Sequence, residues 1–145
     1  MHYLRGMNTD RSQDIRDRTF AFACRVARLC LDVGTRPGFR SVVEQLLKSG
    51  TSIGANLEEA KAGSSKRDFV HYVEISLREA REAWYWLRIY RELELGDPAT
   101  IRDLVGEADA IVRILTSIVI STKRRMAVLS VVSAFCILNS ALLLS

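Results

Sequence analysis

Residues 48–69 read KSGTSIGANLEEAKAGSSKRDF, and this stretch decides the fold. It holds the end of one helix, a short loop and the start of the next. Gly50, Ser52, Gly54, Ala55 and Ala60 leave little side chain on the first helix. A glycine inside a helix costs roughly 1 kcal/mol against alanine, so two of them imply close approach by neighbouring helices. Asn56 shares the apolar register of Ile53 and Ala60, where a buried amide fixes pairing register at some cost in stability. Gly63 ends this helix, and Ser65 with Asp68 forms a capping box for the next. With so short a loop, the two helices run antiparallel.

The same periodicity extends in both directions. Upstream, Ser12 caps a helix from Gln13 to Val33, closed by Gly34, with the seam Ile15, Thr19, Phe22, Val26, Leu29, Val33. Thr35 to Gly38 is a turn, and Ser41 with Glu44 is a capping box for the second helix. That helix carries the seam Val42, Leu46, Ser49, Ile53, Asn56, Ala60. A parallel line through Val43, Leu47, Gly50, Gly54 and Leu57 means that it touches more than one neighbour. The third helix, from Lys66 to Glu94, has the seam Phe69, Val73, Ser76, Ala80, Ala83, Leu87, Tyr90. Its small middle suits close packing on the second helix. After Gly96, Asp97 caps a fourth helix with Pro98 at its first position and a seam from Ile101 to Thr122. Four heptad-spaced helices with short turns predict an all-α, antiparallel up-down-up-down four-helix bundle over residues 12–125, preceded by a flexible segment 1–11.

After Lys123-Arg124-Arg125 the character changes. Residues 126–145, MAVLSVVSAFCILNSALLLS, carry no charge. A helix of about 20 residues spans a hydrocarbon core of roughly 30 Å, and a basic flank suits its cytoplasmic side. Asn139 and four serines lower its hydrophobicity. Two readings stand: a membrane anchor, or a hydrophobic tail lying on the bundle or at a subunit interface.

The chain has 145 residues, of which 48% are hydrophobic, enough for one domain with a real core. Cys24, Cys30 and Cys136 make no CxxC pair and no metal-ligand spacing. With no recognisable secretory leader, they read as core residues in a reducing cytoplasm. A di-iron bundle needs two Glu-x-x-His motifs, but only His2 and His71 are present. A nucleophile with a histidine base and a phosphate-binding glycine loop are also missing. The expectation is no metal, no cofactor and no enzymatic activity.

The net charge of +4 suits an anionic partner or, equally, a solvated mixed-charge surface. Arg18, Arg25 and Arg28 lie off the seam of the first helix, and Arg78, Arg81 and Arg88 lie off that of the third. These six are the candidate phosphate contacts, against the plain reading that helix exteriors are charged. Trp84, Tyr85, Trp86 and Tyr90 crowd the third helix beside Arg81, Arg88 and Arg91. Three consecutive aromatics cannot share one core; the surplus stacks on bases or anchors a subunit interface.

SGTSIGANLEEA (residues 49–60), SSKRDF (64–69) and EISLREAREAWYWLRI (74–89) resemble the bacterial four helix bundle protein family, encoded among other places in intervening sequences of large-subunit ribosomal RNA genes. The resemblance covers residues 12–125. Its most specific part is Ser52, Ile53, Gly54, Ala55 and Asn56, followed by Glu59, which the resemblance marks as the helix-packing motif. It implies an antiparallel bundle and a ring-like homo-oligomer. That ring is a pentamer in relatives such as the accessory protein of diversity-generating retroelements, which binds nucleic acid through basic surfaces. The expected function is therefore a non-enzymatic oligomeric bundle binding RNA or DNA nonspecifically. The alternative is a scaffold anchored through residues 126–145 that engages a protein partner.

Overall fold

The computed structural model describes the backbone from Thr9 to Leu143 apart from Thr35, and side chains from Ile15 to Ile137 with the same exception. The expectations for residues 1–8, for Thr35, for residues 144–145, and for the side chains of 9–14 (the Ser12 cap among them) and of 138–143 lie outside the described residues. Four helices follow in order: α1 (Thr9–Val33), α2 (Arg40–Ala62), α3 (Lys66–Glu92) and α4 (Pro98–Leu143). Helix α2 packs on α1 and α3, and α4 packs on α3 and more lightly on α1. The heptad seams meet as expected: Phe22, Val26, Leu46, Ile53, Ala80, Leu87, Leu104, Ile111 and Leu115 are all buried.

The helix ends are local chemistry. Ser65 Oγ accepts from Asp68 N–H at 3.0 Å, and Asp97 Oδ2 accepts from Thr100 N–H at 2.8 Å. The same hydroxyls donate to the carboxylates, Ser65 Oγ to Asp68 Oδ2 and Thr100 Oγ1 to Asp97 Oδ2, both at 2.7 Å. These bonds are the main cause holding both carboxyls below their usual range. The second expected capping box is absent. Helix α2 starts at Arg40 after Phe39 with no side-chain cap, and Glu44 instead pairs with Arg40 at 2.8 Å. Helix α1 begins at Thr9, ahead of Gln13, and α3 ends at Glu92. Leu95 N–H then closes the turn onto Tyr90 O at 2.9 Å, with Glu94 and Gly96 at positive φ.

The small-residue stretch does bring helices close, but the glycines face α1. A Cβ on Gly50 would stand 2.8 Å from Val26 Cγ1, and one on Gly54 would lie 3.7 Å from the Thr19 carbonyl carbon. Both contacts are with the helix that precedes α2. Against α3 the close contact is Ser76, whose Oγ donates to Ile53 O at 2.8 Å in the core. That bond, not Asn56, ties the two helices together. Asn56 is only half-buried, and its Nδ2 donates to Ser52 O within its own helix at 2.8 Å. An amide bonded to its own backbone carries no pairing information.

Helix α4 runs through the basic triplet without a break, so the hydrophobic tail is its continuation rather than a separate helix. Among the described residues its last buried one is Val119. From Ala127 to Ile137 every residue is exposed, including Val131 at 69% and Phe135 at 64%. At about 1.5 Å per residue, α4 is roughly 69 Å long against about 40 Å for α3. Over residues 127–137 the tail does not lie on its own bundle. Among the described residues no helix is long and apolar enough to cross a membrane.

Candidate nucleic-acid interface

The six candidate arginines occupy different electrostatic settings. On α1, Arg18 makes a two-pronged pair with Glu107 of α4, its Nε 2.5 Å from Oε1 and its Nη2 2.8 Å from Oε2. Both side chains are half-buried. Fork-to-carboxylate geometry is the strong form of an ion pair, and the Arg18 guanidinium holds the Glu107 carboxyl below its usual range. Arg25 lies 4.0 Å from Asp103 of α4, a looser contact. Arg28 is exposed and forms no ion pair among the described residues. Two of the three therefore serve the α1–α4 contact, the most lightly packed side of the bundle.

Arg78, Arg81 and Arg88 differ. All three are exposed on α3, and none forms an ion pair among the described residues. With Tyr85 between them, the 3-4-3 spacing sets them on one outward stripe opposite the core residues Ala80, Ala83 and Leu87. Arg88 lies over the Trp84 ring, 4.8 Å from its centroid, a cation–π contact that positions the guanidinium. Neighbouring carboxylates have other partners. Glu74 pairs with Lys123, Glu82 accepts from Trp86 Nε1 at 3.2 Å, and Glu92 pairs with Arg91. The partly buried Glu79 carboxyl is pushed up by desolvation and by Glu82, against the lowering pull of Lys48 and Arg78.

The aromatic run divides as its spacing requires. Tyr90 is fully buried, Trp84 and Trp86 are half-buried against the core, and Tyr85 is 55% exposed. Tyr85 meets Trp86 edge-on, with ring centroids 5.3 Å apart. Beside it is a shallow open depression lined by Tyr85, Arg88, Ile89, Glu92 and Leu93. The buried Tyr90 hydroxyl has no hydrogen bond of ordinary geometry; its electrostatic partner is the Cys30 thiol, which burial pushes up to about 11. A thiol so rarely ionised is a core group, not a nucleophile. Among the described residues no cluster of His, Cys, Asp and Glu converges on a point where a metal would sit.

The packing motif divides as well. Ile53 is buried, Ser52, Gly54 and Asn56 are half-buried, and Ala55 and Glu59 are exposed. Of the second apolar line of α2, Val43, Gly50 and Leu57 are buried and Gly54 is half-buried, with the glycines against α1, while Leu47 is 38% exposed. A different stripe is left uncovered. Phe20 is 71% exposed and Leu31 76%, with half-buried Cys24 and Ala27 between them on the outer side of α1. Their 4-3-4 spacing was legible in the sequence, masked by the stronger inward seam of the same helix.

Fold and surface together define a small all-α bundle. The chain matches the 23S rRNA-intervening sequence protein family over residues 11–117, and belongs to it. Among solved structures it is similar to a protein of unknown function from the S23 ribosomal protein family of Bacteroides thetaiotaomicron. That likeness has 30% identity and a TM-score of 0.69, covering 74% of this chain and 96% of the other. No curated protein matches the chain significantly. The structural likeness supports the bundle, and the family match leaves residues 118–145 outside it.

Proposed function

We propose that the protein is a non-enzymatic, self-associating helical bundle that binds RNA or DNA without sequence preference through the arginine face of α3. The observation that carries this reading is the set of three exposed arginines, Arg78, Arg81 and Arg88, none of which forms an ion pair among the described residues. Guanidinium groups already paired with carboxylates must exchange one anion for another to bind phosphate; these three have no such exchange to make. Self-association is supported by the uncovered Phe20–Leu31 stripe, and the family resemblance supports a pentamer as its form. A ring repeats the α3 face, so a modest charge per subunit becomes multivalent. The test is filter binding against salt: log affinity falls linearly with log salt, by about 0.9 per phosphate neutralised on duplex DNA. Failure to retain either RNA or DNA at about 50 mM salt rejects the reading.

The tail favours a second reading, a scaffold tethered to a lipid surface. Its observation is the exposed apolar run Val128, Leu129, Val131, Val132 and Phe135 directly after Lys123-Arg124-Arg125. A helix apolar all round finds its counterpart in a protein core or in lipid. Co-sedimentation of the full chain with anionic vesicles, lost on truncation after Arg125, supports tethering. A full chain that stays in the supernatant removes it.

A further inference from the structure

Resting on the nucleic-acid reading above, we infer that the α3 face selects single strands, with Tyr85 as a stacking platform between arginines that hold the phosphates. Four observations converge on this residue. Tyr85 is an aromatic ring left 55% exposed on an otherwise charged stripe. Its orientation is set by the edge-on contact with Trp86, which is itself tethered to Glu82. The depression beside it is bounded by Arg88, by the apolar Ile89 and Leu93, a surface for the flat face of a base, and by Glu92, whose carboxylate is paired with Arg91 at 3.0 Å. Arg78 and Arg81 stand one turn to two turns before it and Arg88 one turn after, so cations flank the ring over a track of about 15 Å.

The chemistry separates this occupant from a duplex. Phosphates are present in both, so the arginines alone bind either one. A base inside a duplex is already stacked on its neighbours and offers no free face, whereas an unpaired base does. Stacking on an aromatic side chain is indifferent to base identity, which keeps the site without sequence preference. Tyr85 also contributes a wide ring with little conformational entropy to lose.

The test uses the full chain with a labelled polypyrimidine single strand, as DNA and as RNA, and a duplex of the same length. Wild-type protein is expected to hold the single strand about tenfold more tightly than the duplex. Tyr85→Ala is expected to lower single-strand affinity on the order of tenfold and leave duplex affinity unchanged, while Tyr85→Phe retains both. A 5-iodouracil strand is expected to crosslink at Tyr85 on irradiation. Light scattering on Tyr85→Ala should give the wild-type mass; a variant that dissociates overturns the inference, because Tyr85 is then an interface anchor. Wild-type binding with no preference for single strands, or with no loss in Tyr85→Ala, overturns the stacking inference and leaves the arginine face standing. No binding of either form overturns both.

Discussion

Helices α1 and α3 each carry three of the six candidate arginines, and the structure uses them differently. Arg18 and Arg25 point across the lightly packed α1–α4 side toward Glu107 and Asp103. Arg78, Arg81 and Arg88 form no ion pair among the described residues. The two sets have the same residue type and similar spacing but different neighbours. Where two helices share few apolar contacts, a half-buried fork-to-carboxylate pair secures them. Where a helix is already held by apolar packing on both sides, its outer arginines remain available to a partner.

The largest expected effect breaks the comparison directly. Changing Arg78, Arg81 and Arg88 together to glutamine should lower nucleic-acid affinity on the order of a hundredfold at low salt. It should also reduce the salt slope by about 0.9 for each contact removed. The corresponding change of Arg18, Arg25 and Arg28 should reduce that slope by no more than about 0.9, through Arg28 alone. Equal losses from the two sets, read from binding isotherms at several salt concentrations, would erase the distinction.

Stability should respond in the opposite sense. Arg18→Gln strands the half-buried Glu107 carboxylate and is expected to cost roughly 1–3 kcal/mol, read from urea unfolding. Arg81→Gln, on the exposed stripe, should stay within about 0.5 kcal/mol of wild type. If Arg18→Gln unfolds at the wild-type midpoint, the pair does not secure the α1–α4 contact.

A smaller effect appears with pH. The Glu107 carboxyl is lowered in the folded protein by Arg18, so the unfolded chain binds its proton first as pH falls. The stabilisation is complete above the unfolded glutamate value, about 4.3, and is lost as pH drops through the folded one. The stability gap between wild type and Glu107→Gln should therefore narrow on acidification from neutral pH. A gap that is the same at neutral and acid pH would separate Glu107 from that titration.

The smallest effect concerns how helices find their register. Ser76→Ala removes the only side-chain bond from α3 to the α2 backbone among the described residues and should cost about 1 kcal/mol. Asn56→Ala removes a bond within α2 and should cost less. Thermal melts of the two single variants decide the order; a larger loss at Asn56 would restore it as the register-setting group.

The sequence by itself determined the four helices, because a heptad spacing of apolar residues specifies which side of each helix is inward. It also determined the caps at Ser65 and Asp97, where donor and acceptor lie three residues apart. Family membership was legible in the SIGAN stretch for the same reason: it is a contiguous pattern. What periodicity cannot state is which neighbour fills a given angle around a helix. That is why Gly50 and Gly54 turned out to face α1, why Asn56 bonded its own helix, and why Ser41 capped nothing. The same gap hid the difference between the two arginine sets, since Arg18 meets Glu107 from 89 residues away. Only the tertiary structure decides such a pairing, because it depends on where the backbone of α4 passes, and that is set by the packing of all four helices together.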